Sequence, residues 1–413
     1  MVDLTLAPRT FITSINQTRR RGPVKITAIR TRIVNAEMRN WVFVKVETDQ
    51  PGLHGWGEAT LEWKTRAVVG AIDDLAPLII GRDPRDIEQA VRAMKKQSFW
   101  RLGAVATSAI SGIEVALWDI LGKELGVPVW RLLGGKVRDK VGVYTHLGLG
   151  DMRAVYETLE VDPLVERARA VVESGYRAFK AVFIPYTHFH APLPEIGKVA
   201  RLMDALRSAV GPEVEIMVDF HGRPASVGAA LAYIDALAPG RPMFVEEPLP
   251  PGDTAGLTAI AARTSVPVAT GERLVERAEF TDLVTSRAVS VIQPDICHCG
   301  GLLEAKKIAA IADTFGIGVA PHNPLGPIAG VAALHFAVST PNHVIQEEMV
   351  GAVPWYFDVV KGPIRMVDGF WQVPDAPGLG VEVDEAECAR HPFAQEVIHP
   401  QHAVLADGTI VDW

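Results

Sequence analysis

Residues 215–272 decide the fold. They read Glu-Ile-Met-Val-Asp-Phe-His at 215–221, Met-Phe-Val-Glu-Glu-Pro at 243–248 and Val-Pro-Val-Ala-Thr-Gly-Glu at 266–272. Each run is a short apolar stretch that leads into ionisable residues, and helical sequence separates one run from the next. Strands and helices that alternate in this way indicate parallel strands joined by right-handed crossovers.

The same alternation extends in both directions, from Val141 to Gln346. Eight strands over about 220 residues predict a (β/α) barrel, in which active sites lie at the C-terminal ends of the strands. The predicted strands are Val141–Tyr144, Ala178–Val182, Glu215–Val218, Met243–Val245, Val266–Ala269, Val289–Ile292, Gly318–Ala320 and Val344–Gln346. The predicted helices include Leu164–Glu173, Lys198–Ser208, Val227–Ala236, Leu257–Thr264 and Leu302–Phe315.

The segments on either side of the barrel have a different character. Short alternating strands between residues 25 and 58 precede helical sequence at 64–124, and this order predicts an α+β domain. We therefore expect an N-terminal α+β domain over residues 1–140, with residues 1–24 as an arm. The barrel would then cover residues 141–360, and residues 361–413 would return to pack on the first domain.

Composition excludes several classes of function. The formal net charge of −8, from 41 Lys+Arg against 49 Asp+Glu, argues against a nucleic-acid-binding surface. No uninterrupted apolar run reaches the ~18 residues that span a bilayer, and the first residues lack the apolar core of a signal peptide. Three cysteines fit a reducing compartment, so we expect a cytoplasmic protein with no membrane partner. Cys297-His298-Cys299 lacks zinc-ligand spacing and predicts small buried side chains near a strand end.

Ionisable side chains follow six of the predicted strands at intervals of 23 to 27 residues, about the length of a strand, a helix and two loops. In a barrel, residues at this spacing converge on the C-terminal mouth. They are Asp219, Glu246, Glu272, Asp295, His322 and Glu347.

The residue types predict roles. Asp219, Glu246 and Glu272 offer hard oxygen ligands that suit Mg²⁺, and without a cation these three carboxylates would repel one another. A carboxylate at Asp295 would fix the tautomer of His322 and make its other nitrogen a better base. His221, two residues after Asp219, could protonate a leaving group or form a supporting hydrogen bond.

These motifs together resemble the mandelate racemase branch of the enolase superfamily, and within it the galactonate dehydratase group. The resemblance extends over nearly the whole chain from about residue 25. It rests on the following ordered runs: Gly55-Trp56-Gly57-Glu58, Val218-Asp219-Phe220-His221-Gly222-Arg223, Val245-Glu246-Glu247-Pro248, Gly271-Glu272-Arg273, Gln293-Pro294-Asp295, His322-Asn323-Pro324-Leu325-Gly326-Pro327, Pro377-Gly378-Leu379-Gly380-Val381-Glu382 and Asp407-Gly408-Thr409-Ile410-Val411-Asp412-Trp413.

The resemblance implies a fold and a mechanism. It implies an α/β protein in which an α+β capping domain, completed by the C-terminal segment, covers a modified (β/α)₇β barrel. It also implies Mg²⁺ on the three carboxylates, a His322–Asp295 base dyad, His221 as general acid and Glu347 as hydrogen-bonding partner of the enolate oxygen. We expect a small sugar-acid substrate that contacts Lys180, Asn40 and His188, and a homo-oligomeric enzyme.

One departure narrows the reaction. Racemases of this branch carry Lys-x-Lys on the second barrel strand, whereas this strand reads Phe179-Lys180-Ala181-Val182. The second base is absent, so dehydration of an aldonic acid, with D-galactonate first, is favoured over racemisation. A dehydratase of another acid sugar or a cycloisomerase on the same scaffold stays open, and His188 and His190 fit a surface loop equally well. A non-catalytic barrel and a zinc hydrolase are weaker alternatives, because every catalytic residue is present and zinc-ligand spacing is not.

Overall fold

The computed structural model describes residues 24–101, 103–148, 160–362, 364–396 and 403–412. The predicted N-terminal arm, apart from Val24, lies outside the described residues.

The first part of the chain, which we call the cap, is a three-stranded antiparallel sheet packed on helices. Val42, Val44 and Val46 share one apolar core with Ile113 and Leu117. Alternate residues of a strand face the same side of a sheet, so these valines form its inner face. The elements are β1 (Ile26–Ala36), β2 (Arg39–Thr48), β3 (His54–Glu58), α1 (Thr65–Leu75), α2 (Ile87–Gln97), α3 (Gly103–Leu125) and α4 (Val129–Leu132).

Helix α3 is the central helix of the cap. By length and composition it is apolar enough to cross a membrane, although charged residues interrupt its sequence. In the structure, 83% of its apolar window is buried within the fold. The apolar residues of α3 therefore pack in the hydrophobic core of the cap.

Within the described residues, the barrel contains eight parallel strands with a helix after each of the first seven. The strands pair in chain order, the last strand pairs with the first, and Val319 bridges to His343 just ahead of the last strand. The predicted (β/α)₇β architecture is confirmed. Its elements are β4 (Lys140–His146), α5 (Val161–Glu173), β5 (Ala178–Ala181), α6 (Leu193–Val210), β6 (Glu215–Asp219), α7 (Val227–Leu237), β7 (Phe244–Glu246), α8 (Thr254–Ala261), β8 (Val268–Thr270), α9 (Arg277–Thr285), β9 (Val291–Ile292), α10 (Leu302–Thr314), β10 (Gly318–Val319), α11 (Pro327–Ser339) and β11 (Gln346–Glu347).

Two of these helices, α9 and α11, are absent from the helices that the sequence pattern identifies. All 13 residues of α11 are buried. A helix buried on every side has no polar face, so its sequence carries no helical periodicity. Tertiary packing, and not amphipathicity, places this helix.

The return segment contacts both the cap and the barrel. Glu385 forms ion pairs with Arg32 and Lys45 of the cap, at 2.6 Å each. Strand β14 (Phe370–Gln372) pairs antiparallel with barrel strand β4, so the segment also extends the barrel sheet. Its elements are β12 (Val360–Lys361), β13 (Met366–Val367), β14 (Phe370–Gln372), β15 (Glu382–Val383) and α12 (Glu385–Cys388).

Buried carboxylates of the cap hold it on the barrel. Glu58 accepts hydrogen bonds from the backbone N–H groups of Gly326 (2.8 Å) and Ala329 (2.9 Å), at the start of α11. Glu114 does the same for Leu302 (2.8 Å) and Leu303 (3.0 Å), at the start of α10. Negative charge is favourable at a helix N-terminus, so these contacts orient the cap over the mouth of the barrel.

Candidate active site

Three adjacent barrel strands bring three carboxylates together. Asp219 ends β6 and Glu246 ends β7, and the two residues are paired in register. Glu272 lies two residues beyond β8. One oxygen from each side chain can be chosen so that all three lie within 4.8 Å of one another. The three predicted metal ligands are thus brought into one cluster.

The cluster has the chemistry of a cation site. Burial and the charge of Asp219 raise the pKa of Glu246 well above its ordinary value. Burial and the neighbouring Glu247 raise the pKa of Glu272 in the same way. The buried Oε1 of Glu246 accepts no hydrogen bond from the described residues. Crowded carboxylates with an unpartnered buried oxygen fit a divalent metal ion.

Lys180, predicted to bind substrate, lies beside this cluster. Its Nζ is 3.2 Å from Asp219, 3.1 Å from Glu246 and 2.9 Å from Glu347. Opposing its own burial, these carboxylates raise the pKa of Lys180 well above its ordinary value, so it stays charged. One ammonium offsets only part of the negative charge at the mouth.

The two residues of the predicted base dyad, His322 and Asp295, lie in hydrogen-bonding contact. Nδ1 of His322 lies 2.7 Å from Oδ2 of Asp295, and Nε2 lies 3.2 Å from Oε2 of Glu272. Burial lowers the pKa of His322, but Glu347 and Asp295 together raise it to about 9. Glu347 and Asp295 together therefore make His322 strongly basic, and the ring directs its second nitrogen towards the carboxylate cluster.

His221 lies against the same cluster. Its Nε2 is 3.1 Å from Oδ2 of Asp219, and its backbone N–H donates to Oδ1 of that residue at 2.9 Å. The φ angles of His221 (51°) and Gly222 (67°) are both left-handed, and a Cβ on Gly222 would lie 2.7 Å from Nη2 of Arg273. A strained turn of this kind after β6 holds the imidazole at the mouth.

Glu347 lies among several groups that donate hydrogen bonds to it. It lies 2.8 Å from Nε2 of His146 and accepts the backbone N–H of Asn323 at 2.7 Å. Against the effect of burial, Lys180 and His322 hold its pKa well below the ordinary value. An ionised carboxylate accepts hydrogen bonds and does not donate them. Nε2–H of His146 already donates to this carboxylate, so the neighbour that can donate to an enolate oxygen is Lys180.

Four of the predicted site residues line one cavity of about 440 Å³ between the barrel and the cap, namely Lys180, His221, Glu272 and His322. This volume accommodates a small polar molecule. The barrel side is lined by His146, Lys180, His221, Glu272, Arg273, Val275, His298, His322 and Pro324, and the cap side by Arg39, Leu61, Glu62, Trp63 and Ala104.

Two predicted substrate contacts do not line this cavity. Asn40 is fully buried and donates to the backbone oxygen of Ala394 in the return segment at 2.9 Å. The adjacent Arg39 lines the cavity, because successive strand residues point to opposite faces. His188 instead packs its ring on Phe189, with a centroid distance of 4.0 Å.

Sequence reasoning missed several cavity residues. His298 lies within the Cys-His-Cys run, whose cysteines are buried as predicted, yet its Nε2 is 3.6 Å from Oδ2 of Asp295. The signal that could have found it is its position three residues after Asp295, in the same loop. His146 was missed because β4 runs two residues beyond the predicted end at Tyr144.

The departure from the racemase pattern is visible in three dimensions. Val182 is buried in a small apolar cluster with Met349, Met38 and Ala352. The position that carries the second base in racemases is therefore dry and apolar. Both imidazoles, His221 and His322, line the cavity, whereas residue 182 is a valine and provides no second lysine base.

Comparison with known proteins identifies the two domains. Residues 9–134 match the mandelate racemase / muconate lactonizing enzyme N-terminal domain, and residues 163–387 match the enolase C-terminal domain-like family. The chain is 37% identical over 400 residues to a D-galactonate dehydratase of Variovorax paradoxus (strain S110), covering 94% of this chain and 100% of that protein. It is also 37% identical to a D-galactonate dehydratase of Cronobacter sakazakii (strain ATCC BAA-894), over 90% of this chain and 96% of that protein.

A solved structure gives the same result for the fold. The mandelate racemase/muconate lactonizing enzyme-like protein of Roseovarius sp. TM1035 superposes with a TM-score of 0.84 at 34% identity. The match covers 91% of this chain and 97% of that one.

Proposed function

The chain belongs to the mandelate racemase / muconate lactonizing enzyme family, and we propose that it is a magnesium-dependent dehydratase of an aldonic acid. D-galactonate, the substrate in the names of two 37%-identical relatives, is the first acid to test. The observation that carries the proposal is the single cavity in which His322 and His221 both face the three-carboxylate cluster. A base and an acid beside a metal site suit elimination of water.

Asp219, Glu246 and Glu272 would hold the cation. All three offer carboxylate oxygens, the donor type that favours Mg²⁺ over the softer zinc. When bound, Mg²⁺ would stabilise the negative charge that develops on the substrate carboxylate as the adjacent proton leaves. Its positive charge would also lie beside Nε2 of His322, which faces the same carboxylate cluster, and would lower the pKa of His322 towards neutrality.

The side chains of this protein move the protons. Nε2 of His322, with Nδ1 fixed by Asp295, takes the proton from C2. His221 then protonates the 3-hydroxyl as the C3–O bond breaks, and one water leaves. The enol product becomes a 2-keto-3-deoxy acid on tautomerisation. Lys180 supplies an N–H donor to the developing negative charge, and Glu347 orients Lys180 and His146.

The environment of residue 182 supports elimination over racemisation. Racemisation needs a base on each face of C2, but Val182 occupies the second lysine's position and packs against Met349. A valine cannot accept or deliver a proton. The acid–base pair that the cavity does contain can break one C–H and one C–O bond.

We further propose a cytoplasmic homo-oligomer that uses neither nucleic acid nor membrane. The three cysteines are free and buried, and the net charge is −8. Phe99 and Trp100, which are 78% and 71% exposed, are apolar enough for an interface between subunits. Light scattering after size-exclusion chromatography measures the oligomeric state, and a monomer at micromolar concentration contradicts this part of the proposal.

The test is a screen of a stereochemically complete set of acid sugars with Mg²⁺, read as 2-keto product. We expect D-galactonate or a close aldonate to turn over, activity to disappear with a chelator, and Mg²⁺ to restore it. Product analysis separates loss of water from the cyclisation that a cycloisomerase would catalyse. Racemised or epimerised acid as the main product, or no product from any acid, would overturn the proposal.

A further inference from the structure

The cationic side chains that line the cavity share one property in the part of the chain that the structure describes. Each arginine or lysine among them already contacts a carboxylate. Arg39 pairs with Glu62 at 2.6 Å, and Nε of Arg273 pairs with Oε1 of Glu247 at 3.0 Å. Lys180 lies among three carboxylates. The lining therefore offers no spare arginine or lysine to a second anionic group of a ligand.

The Arg39–Glu62 pair occupies the cap side of the cavity. Its side chains are only 7% and 16% exposed, so solvent screens the pair weakly. The guanidinium also donates to the backbone oxygen of Pro324 at 2.7 Å, which fixes Arg39 to the loop that carries His322. Oε2 of Glu62 lies 4.0 Å from Nε2 of His298. Arg39 is thus held in place by Glu62, by Pro324 and by a longer contact with Sδ of Met38 at 4.0 Å, and of these three acceptors only Glu62 is charged.

A sugar acid has two chemically different ends in this cavity. If the carboxylate lies at the metal cluster, the chain of hydroxyls extends towards the cap. A second carboxylate there would lose its water, meet an arginine that is already neutralised and face Glu62 directly. Hydroxyls, in contrast, accept from the remaining N–H groups of Arg39 and donate to Glu62. The pair favours an uncharged polyol and disfavours a terminal carboxylate.

We propose that Arg39 and Glu62 are specificity-determining residues that restrict the enzyme to aldonic monoacids and reject the corresponding diacids. The inference rests on the proposed function for the placement of the first carboxylate. The inference defines the substrate class by one property, namely that the end of the substrate remote from the metal is uncharged. The discrimination between monoacids and diacids depends on the charges of this one ion pair. A substitution of Glu62 alone should therefore change the discrimination.

The experiment compares an aldonate with the diacid of the same configuration, oxidised at C6. The value of kcat/KM for each acid is measured in the unmodified protein and in Glu62→Gln. We expect the unmodified protein to prefer the monoacid by about a hundredfold or more. In Glu62→Gln, Pro324 still holds Arg39, whose charge is now free, and this preference should fall by about tenfold or more.

Two further variants isolate the charge from the shape of the pocket. Glu62→Asp keeps the negative charge, and its preference should stay close to that of the unmodified protein. The double variant Arg39→Gln/Glu62→Gln removes the freed cation, so the preference for the monoacid should return. A merely structural role of Glu62 predicts equal losses with both acids and no such return.

Binding separates this inference from the proposed chemistry. Calorimetric affinities of both acids, with Mg²⁺ present, are measured with and without Glu62→Gln in a His322→Asn background that removes the base. The ratio of the two affinities then gives the preference for the monoacid over the diacid in the absence of turnover. Absence of turnover in the unmodified protein, with the binding ratio as expected, contradicts only the proposed reaction. A preference for the diacid, a ratio that Glu62→Gln leaves unchanged, or binding of neither acid overturns the inference.

Discussion

Among the described residues, the buried carboxylates of the cap and those at the mouth of the barrel differ in what surrounds them. In the cap, the oxygens of Glu58, Glu114 and Asp119 accept backbone N–H groups from other elements; Asp119, for example, accepts from Trp56 (2.9 Å) and Leu379 (2.8 Å). At the mouth of the barrel, Glu246 lies against like charges and has a buried oxygen with no hydrogen bond from the described residues.

The difference teaches how to separate structural from functional carboxylates. Burial raises the pKa of Glu58 and Glu114 to about 7, but their oxygens are satisfied by helix N-termini. The mouth carboxylates are mutually repulsive, a cost that a cation relieves. A satisfied carboxylate stabilises the fold, whereas a crowded and unsatisfied one is available for a ligand. The same Glu→Gln change should therefore have opposite consequences in the two regions.

The largest effect is expected at the mouth. Asp219→Asn, Glu246→Gln or Glu272→Gln removes an anionic ligand and should lower kcat/KM by about a thousandfold or more while weakening Mg²⁺ binding. Without metal, the thermal stability of Glu246→Gln and Glu272→Gln should be unchanged or higher, because one repulsive charge is gone. Asp219→Asn loses its ion pairs with Lys180 and His221 and should be less stable. Product assay, calorimetric Mg²⁺ titration and thermal unfolding measure the three quantities. A variant with ordinary turnover and metal affinity shows that its residue is not a ligand.

The two histidines provide the next test, since both belong to the mouth but differ in their partners. His322→Asn should lose dehydration by about a hundredfold to ten-thousandfold and also lose exchange of the C2 hydrogen with deuterated solvent. His221→Asn should lose dehydration to a similar extent but retain that exchange.

A 3-fluoro substrate sharpens this comparison. Fluoride leaves with less help from an acid, so His221→Asn should recover elimination with it, whereas His322→Asn should not. NMR of the C2 hydrogen and a fluoride electrode provide the readouts. Exchange that persists in His322→Asn, or no gain by His221→Asn from the fluoro analogue, means that the two roles are reversed or mistaken.

A smaller effect, on stability alone, is expected in the cap. Both oxygens of Glu114 accept backbone N–H groups at the start of α10. In Glu114→Gln, the side-chain NH₂ group would replace one of these oxygens and would face a backbone N–H, so that hydrogen bond would be lost. The free energy of unfolding should fall by about 1–3 kcal/mol, while kcat per folded molecule stays close to that of the unmodified protein. Glu173→Gln, at an exposed position, is the matched control and should change neither quantity. Loss of kcat without loss of stability would erase the distinction between the two regions.

The smallest effect concerns a buried base that is satisfied like the cap carboxylates. His335 accepts from the backbone of Trp130 at 3.1 Å and lies 3.0 Å from the oxygen of Leu379, and burial lowers its pKa to about 4. The unfolded chain binds this proton below the ordinary value of 6.5, but the folded chain does not. The stability contributed by neutral His335 is therefore complete above pH 6.5 and is lost as the pH falls towards 4.

Denaturant unfolding at several pH values measures this contribution. Between pH 7.5 and 5.5, the unmodified protein should lose about 1 kcal/mol more than His335→Gln, whose side chain does not titrate. Comparing the two proteins cancels the titration of other groups, including the opposite trend expected from Glu58 and Glu114. Identical pH slopes would show that folding does not lower the pKa of His335.

The sequence by itself determined what depends on local periodicity and on order along the chain. Apolar runs followed by ionisable residues at regular intervals predicted the barrel, the carboxylate cluster and the His322–Asp295 contact. Each of these follows from one rule, namely that successive parallel strands end at the same edge. The absence of a lysine at Val182 was equally a matter of reading one position within a strand.

Only the tertiary structure decided how the cap meets the barrel. Glu58 contacts Gly326 across 268 residues, and Glu114 contacts Leu302 across 188, distances over which no periodic pattern extends. Packing of the loops and domains likewise decides that Arg39, and not Asn40, lines the cavity. It also decides that His298 lies close to Asp295. The metal cluster comes from residues that follow successive barrel strands, which is a repeating pattern in the sequence. The cap side of the cavity comes from segments that are distant in the sequence and become neighbours only when the chain folds.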